Sequence, residues 1–265
     1  MVSEIENLCD LMFEVSNEDR LRIVRELGRE SLNITGLSRR LDITTQEVSR
    51  HISRLSDVGL TNRSPEGLYS LTPYGELTLK LMEGLEFTSR HRDYFRHHTV
   101  AALPPEIVSR LGELSGGTYI DDVMVTVHRI EETIKNAEEY ILNLNVPYIA
   151  SAFPLIGDVL DRGVECRFIR TEDLKVPEVM MDDRENSIDE GLMQQVRATG
   201  QYAERLIDQA PVILYMSEKE VAILTFPLTD GEFDFHGFTY ADERMHGWCM
   251  DLFNYYWEMS REIRE

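Results

Sequence analysis

Cysteine and long apolar runs are scarce in this sequence. The three cysteines, Cys9, Cys166 and Cys249, lie far apart, so neither a disulfide framework nor a zinc knuckle is predicted. The longest apolar runs, at 212–216 and 221–226, are far shorter than the roughly 20 residues that a membrane-spanning helix needs. The N-terminus lacks the basic and then apolar pattern of a secretion signal. We therefore expect a soluble protein of the cytoplasm.

Lysine is also scarce, and acidic residues are abundant but unevenly distributed. The net charge is −21, and only four of the 27 basic residues are lysine. Residues 1–100 carry 13 basic and 16 acidic residues, which leaves 14 basic and 32 acidic residues for 101–265. From Ile34 to Arg63 five arginines outnumber three acids, so the acidity does not exclude nucleic-acid binding by this stretch. High acid with little lysine is also compatible with a salty cytoplasm, and we assign no site to it.

The stretch 33–71 has the pattern of a helix-turn-helix followed by a hairpin. Upstream, apolar spacing predicts two scaffold helices, over 4–15 and from about residue 18 to 27. Within the stretch, a short helix is predicted over 34–41, and the capping box of Thr44 and Glu47 starts a second helix that extends to about Val58. We expect this second helix to bury Val48, Ile52 and Leu55.

The opposite face of this second helix carries polar and basic side chains suited to base edges and phosphates. Gln46, Ser49 and Arg50 are the best candidates for base contacts. On the predicted two-stranded wing around the turn 64–67, Arg63 and Tyr69 are candidates for phosphate or minor-groove contact, although Tyr69 is equally suited to packing against the base of the wing. The complete set of predicted DNA-binding residues is Thr45, Gln46, Ser49, Arg50, Ser53, Arg54, Arg63 and Tyr69.

Two segments of the N-terminal third resemble a known protein family, and the resemblance extends over about residues 8–85. The segments ITGLSRRLDITTQEVSRHISRLSDVGL and YSLTPYGEL resemble archaeal and bacterial winged-helix transcription regulators. The resemblance implies double-stranded DNA as a partner. A small helical bundle with an ordinary solvated face is the alternative.

A linker helix is predicted from residue 73 to about residue 95. Its apolar stripe has spacings of three and four residues, and such a helix commonly pairs two copies of a winged-helix protein. The alternative is packing against the first helix of the same chain. The stripe consists of Tyr74, Leu77, Leu81 and Leu85.

Two histidine-containing stretches have no settled interpretation from the sequence. The segment RHRDYFRHH at 90–98 allows three interpretations. It can be a basic segment that contacts phosphate or an acidic partner, or a solvated helix end. A metal site is the third, although its histidines do not have the spacing of metal ligands. His236 and His246 lie near Asp242 and Glu243 and suggest a polar site, again without metal-ligand spacing. We expect no metal and no cofactor.

The remaining chain is predicted to be an α/β domain. Helix and strand patterns alternate over 121–170, which implies a mixed sheet with some parallel pairing. A loop with Met180 and Met181 and then a helix are predicted within 176–209, the helix from about residue 187 to 209, as a cover for the sheet. A hairpin, a third strand and a helix over 242–263 with aromatic core residues complete the domain.

Two further resemblances concern this domain. PVILYMSEKEVAILTFPLTDGEFDFHGFTYADERMHGWCMDLFNYYWE resembles the C-terminal part of the archaeal methanogenesis-regulator family, in which a winged helix precedes an α/β domain. Residues 101–265 are also similar to the phospholipase D-like half-domain that some archaeal regulators carry as an effector domain. Enzymes of that class need a histidine followed two residues later by lysine, whereas His128 is followed by Arg129 and Ile130. This resemblance implies the fold and argues against catalysis.

Together these patterns predict three parts: a winged helix-turn-helix at 1–72, a linker and dimerisation helix at 73–100, and an α/β regulatory domain at 101–265. We expect a non-enzymatic transcription regulator, a homodimer that binds a pseudo-palindromic operator through Thr45–Val58 and the wing. The C-terminal domain is expected to sense a small-molecule or protein effector. The alternatives are a phospholipase D-like enzyme tethered to DNA and a protein-interaction adaptor.

Overall fold

The chain folds into two compact units, Met1–Leu85 and Glu86–Glu265. The structure is a computed structural model that describes residues 4–147, 149, 151–174, 190–240 and 242–263. The boundary between the units falls inside the helix that the sequence predicts as the linker. No helix in the described ranges is long and apolar enough to cross a bilayer.

The first unit consists of helices followed by a hairpin and a further helix. Asn17 and Asn33 cap the second and third helices through their side chains, as expected for residues that accept hydrogen bonds from a helix N-terminus. The predicted capping box of Thr44 and Glu47 is confirmed, and Gly59 takes the left-handed conformation with φ 79°. The elements are α1 Glu4–Val15, α2 Glu18–Leu27, α3 Ile34–Leu41, α4 Thr45–Asp57, β1 Thr61–Arg63, β2 Tyr69–Leu71 and α5 Pro73–Arg90, whose last residues belong to the second unit.

The core of the first unit is formed by the inward faces of α2, α3 and α4. The predicted inner face of α4 is confirmed, because Val48, Ile52 and Leu55 are buried. Helix α1 differs from a purely internal scaffold helix. Its Val15 is buried, whereas most of its apolar stripe is exposed to solvent, namely Ile5, Leu8, Met12 and the adjacent Phe13.

The second unit contains an eight-stranded mixed sheet, which confirms the predicted α/β class. After α5, the described elements are α6 Arg92–Phe95, α7 Pro105–Val108, a 3-10 turn Leu111–Gly116, β3 Thr118–Ile120, α8 Val123–Asn136, β4 Tyr140–Leu144, α9 Ala152–Asp161, β5 Glu165–Thr171, α10 Glu190–Thr199, β6 Tyr202–Ile207, β7 Ile213–Ser217, β8 Val221–Thr225, β9 Gly237–Tyr240, α11 Glu243–Met259 and β10 Arg261–Glu262. The strand order is β10-β6-β5-β4-β7-β8-β9-β3, and β5 pairs in parallel with both β4 and β6.

Each face of this sheet has its own apolar cluster. Because successive strand residues point to opposite faces, Leu142 lies in one cluster with Trp248 of α11, and Ile141 lies in the other with Ile134 of α8. The indole Nε1 of Trp248 donates to the Ile107 carbonyl oxygen at 3.1 Å. The prediction that aromatic residues of the last helix form core is therefore confirmed.

Two predicted element boundaries in the second unit were wrong. The helix predicted to extend to residue 209 ends at Thr199, and Gly200 follows with φ 78°. The next residues form β6, which pairs with β5 and with β10. The last helix likewise ends at Met259 rather than near residue 263, because β10 follows it. Residues 175–189, with Met180 and Met181, lie outside the described residues.

The start of α5 requires a glycine. A Cβ at Gly75 would overlap the Leu60 carbonyl oxygen, and the Gly75 amide donates to the Thr72 hydroxyl at 3.0 Å. We expect Gly75→Ala to lower the free energy of unfolding by about 1–3 kcal/mol, as overpacking does. Chemical denaturation followed by circular dichroism measures this loss. Glu76→Ala, an exposed change at the next position, is the control, and equal stability of the two variants would contradict the steric argument.

Candidate nucleic-acid interface

Helix α4 presents one exposed polar face. Its capping box fixes the first turn, and its buried apolar side chains fix its rotation about the axis. Residues at intervals of three and four share a face of a helix, so the exposed predicted residues fall together. These are Thr45, Gln46, Ser49, Arg50, Ser53 and Arg54.

Arg50 supplies an available positive charge on this face. Its side chain is exposed and makes no ion pair or hydrogen bond with another described residue. The neighbouring His51 is buried, and its Nδ1 has no hydrogen-bond partner within the described ranges. Burial lowers the pKa of His51, and the positive charge of Arg50 lowers it further. His51 therefore adds no second positive charge beside Arg50 near neutral pH.

Arg54 is held by α1. Its Nε lies 3.0 Å from Oε2 of Glu14 and its Nη2 lies 2.7 Å from Oε1, so the two groups form a bidentate pair. The guanidinium also lies over the ring of Phe13, 5.3 Å from its centroid. The hydrogen bonds that Arg54 donates to Glu14 raise the pKa of Arg54. A DNA contact by Arg54 stays a prediction, and phosphate would have to compete with Glu14 for it.

Glu14 and Arg20 complete this cluster, and the sequence analysis missed both. Glu14 is buried and pairs with Arg20 Nε at 3.1 Å, while the same nitrogen donates to the Glu14 carbonyl oxygen at 2.6 Å. A signal was present in the sequence. Arg20 precedes Ile23 and Val24 by three and four residues and therefore lies on the apolar face of its helix, where an arginine needs a buried acid.

The wing is a short antiparallel hairpin in which Arg63 pairs with Tyr69. Arg63 is exposed, and its guanidinium lies 5.7 Å from the centroid of the Tyr69 ring. Tyr69 is half-buried, and its backbone exchanges two hydrogen bonds with Leu32. The burial of Tyr69 agrees with packing at the base of the wing, and Arg63 is the more accessible of the two predicted contacts.

The apolar stripe of α5 is exposed to solvent rather than buried against α1. Leu77 and Leu81 have relative exposures of 55% and 67%. Tyr74 and Leu85 of the same stripe are also exposed, so four apolar side chains lie in water along one helix. Large exposed apolar patches commonly mark interaction surfaces.

The structure does not bring His236 and His246 together in one site. His236 Nδ1 pairs with Asp234 at 3.1 Å, whereas His246 Nε2 lies 2.8 Å from the Ser217 carbonyl oxygen. Among the residues described, no group of histidine, cysteine and acidic side chains has the arrangement of a metal site.

The succession of α2, α3, α4 and hairpin defines a helix-turn-helix protein with a wing. Residues 15–63 match a family model described as a helix-turn-helix domain. This match covers the whole of α4 and its capping box.

A regulatory protein is among the relatives of the whole chain. The chain is 23% identical over 259 residues to the methanogenesis regulatory protein FilR1 of Methanothrix harundinacea (strain 6Ac), with 94% of this chain and 57% of the relative covered. The chain thus spans little more than half the length of that relative. The helix-turn-helix match and this similarity support the predicted class, a DNA-binding transcription regulator.

Two solved structures are also similar. TrmBL2, described as an archaeal chromatin protein with a novel mode of DNA binding, is 16% identical, with 93% of this chain and 94% of that chain covered and a TM-score of 0.43. HlyU from Vibrio cholerae N16961 is 27% identical, with 32% of this chain and 97% of that chain covered and a TM-score of 0.30. The resemblance of the second unit to phospholipase D-like half-domains stays a prediction.

Substitutions of Glu14 and Arg54 are expected to lower the free energy of unfolding by different amounts. Glu14→Gln leaves the buried Arg20 without a carboxylate, and breaking a buried pair in this way costs about 3 kcal/mol. We expect Arg54→Gln to cost less, because Arg54 is exposed and Glu14 keeps Arg20. Urea denaturation of the two variants measures the order, and Arg54→Gln being the more harmful change would refute it.

Proposed function

We propose that the protein is a homodimeric transcription regulator whose helix α4 and wing bind an operator, and whose second unit senses a small molecule or a protein partner. The observation that carries this proposal is the exposed face of α4, where Arg50 is unpaired among the described residues. The helix-turn-helix match over 15–63 provides independent support.

The dimensions and chemistry of α4 suit the major groove. A helix of 13 residues is about 20 Å long, and a recognition helix contacts base edges mainly through its N-terminal residues. Gln46 has the amide that pairs with adenine, and Arg50 has the fork that pairs with the N7 and O6 acceptors of guanine. Ser49 is the third candidate for a base contact, because a serine hydroxyl can donate or accept. Ser53 and the wing residue Arg63 are suited to phosphate contacts, which position the protein on the duplex.

The exposed apolar stripe of α5 supports pairing of two copies. Its occupant in this proposal is the same stripe of a second chain, since symmetric dimers place one patch against its own copy. Two α4 helices related in this way would contact two half-sites, and the operator would be pseudo-palindromic.

We also propose that the second unit acts without catalysis. His128, the residue tested against the phospholipase D-like pattern, is exposed on α8 and lacks the lysine two positions on. No observation in the structure favours the enzyme or the adaptor alternative over DNA binding.

Arg50→Ala is expected to weaken specific DNA binding by at least about tenfold, the loss of one base-contacting arginine. The DNA is first selected from a random-sequence library with the wild-type protein, and affinity is then measured by fluorescence anisotropy at fixed salt. Arg22→Ala, which removes an exposed arginine of α2, is the matched control. Unchanged affinity of the Arg50 variant with retained circular dichroism would sink the assignment of α4.

Leu77→Glu combined with Leu81→Glu is expected to convert the dimer to a monomer. Full burial of one leucine contributes about 1.5–3 kcal/mol, so losing two per protomer should raise the dimer dissociation constant by at least about a hundredfold. Sedimentation equilibrium of the full chain measures this constant. Lys80→Glu adds an acid elsewhere on the same helix as a control, and a double variant that dimerises like wild type would rule out the α5 interface.

A further inference from the structure

A cleft of about 520 Å³ lies entirely within the second unit. Its walls come from the basic segment 90–98, from β3 and from the loop that precedes β9. A volume of this size is in the range of small-molecule sites. The lining residues are Arg90, His91, Asp93, Tyr94, His97, His98, Tyr119, Leu228, Asp234 and His236.

One wall of the cleft is held in place before any ligand binds. The Thr99 amide donates to the Pro227 carbonyl oxygen at 2.8 Å, and the Thr229 amide donates to the His97 carbonyl oxygen at 3.0 Å. The rings of Tyr94 and His98 are stacked, 3.6 Å apart at 11°. Such a wall gives up little conformational entropy on binding.

Asp234, one of the two acids in the cleft lining, already has hydrogen-bond partners on both carboxylate oxygens. Its Oδ1 accepts from His98 Nε2 at 3.1 Å and from the His236 amide at 3.0 Å, and its Oδ2 lies 3.1 Å from His236 Nδ1. Burial opposes ionisation of Asp234, but the hydrogen bonds from His236 and His98 outweigh it and lower the pKa. Asp234 is therefore a structural anion and has little capacity left for a ligand cation.

Several donors in the cleft keep unused capacity. Arg90 uses two nitrogens, on the Ser115 carbonyl oxygen at 2.9 Å and on Glu86 at 3.1 Å, and a guanidinium has five N–H groups. The His97 side chain is exposed and makes no hydrogen bond to another residue that the structure describes. The Tyr119 hydroxyl likewise makes no hydrogen bond to a residue that the structure describes.

The segment 90–98, which forms one wall of the cleft, contains more basic than acidic residues. The segment 90–98 contains three arginines and three histidines against one acid, within a chain of net charge −21. That acid, Asp93, lies 3.9 Å from the Arg96 guanidinium. A group that accepts several charge-assisted hydrogen bonds is the complement of this arrangement.

We propose that the cleft binds a small organic anion, whose carboxylate or phosphate group is held by Arg90 and His97 and whose apolar body lies against Tyr94 and Tyr119. The inference rests on the proposed function only in assigning this site to the sensing role. The binding itself belongs to the second unit and requires no DNA.

Titration calorimetry of the full chain with benzoate, phenyl phosphate and neutral benzamide tests the proposal. We expect saturable binding of at least one anion, with benzamide bound at least about tenfold more weakly. The comparison of benzoate with phenyl phosphate shows which oxyanion the cleft prefers. Failure of both anions to bind, or equal binding of benzamide, would overturn the proposal.

Two variants locate the binding in the cleft. His97→Ala and Arg90→Gln should each weaken binding of the anion by about tenfold, the effect of losing one charge-assisted hydrogen bond. The matched controls are His128→Ala, which removes an exposed histidine, and Arg92→Gln, which removes an arginine of the segment 90–98. Neither residue lines the cleft, so both controls should leave the affinity for the anion unchanged. Unchanged affinity in both cleft variants would overturn the proposal. The Arg50→Ala variant should bind the anion with wild-type affinity. Anion binding and DNA binding are therefore measured separately, and failure of the DNA proposal is distinguishable from failure of this one.

Discussion

Helix α4 has to satisfy two opposite demands along its length. Val48, Ile52 and Leu55 must leave water to hold the helix in the core, whereas Ser49, Arg50 and Ser53 must stay in water. The capping box satisfies the backbone amides of Thr44 and Glu47 without any tertiary contact. Because the burial of one face fixes the direction of the other, the orientation of the whole candidate DNA-binding surface depends on this division.

The parts of the fold that the sequence predicts well are those with local causes. The capping box of α4, the turn at Gly59 and the hairpin around Gly67 each depend on residues within a few positions of one another. Strand β6 was missed because its pairing with β5 and β10 joins distant segments. The Glu14–Arg54 pair spans 40 residues, so no local pattern contains it, although the position of Arg20 indicated a buried acid nearby.

The basic segment 90–98 shows how a set of residue types leaves the chemistry open until the fold is known. Its histidines have three different environments: His98 is buried and bonded, His91 lies among aromatic rings, and His97 is exposed. The spacing in the sequence argued against a metal but did not show that Asp234 and His236, more than 130 residues away, lie in the same cleft. The assignment of the segment therefore came from tertiary structure.

The pairing of Arg54 with Glu14 has a consequence for the electrostatics of DNA binding. Glu14 offsets one of the two positive charges of Arg20 and Arg54, so the surface of α4 carries less positive charge than its arginines suggest. The salt dependence of affinity scales with the number of counterions that protein cations displace from the phosphates. A regulator with few free arginines displaces few counterions, so its affinity for DNA would fall less steeply with salt than that of a more basic protein.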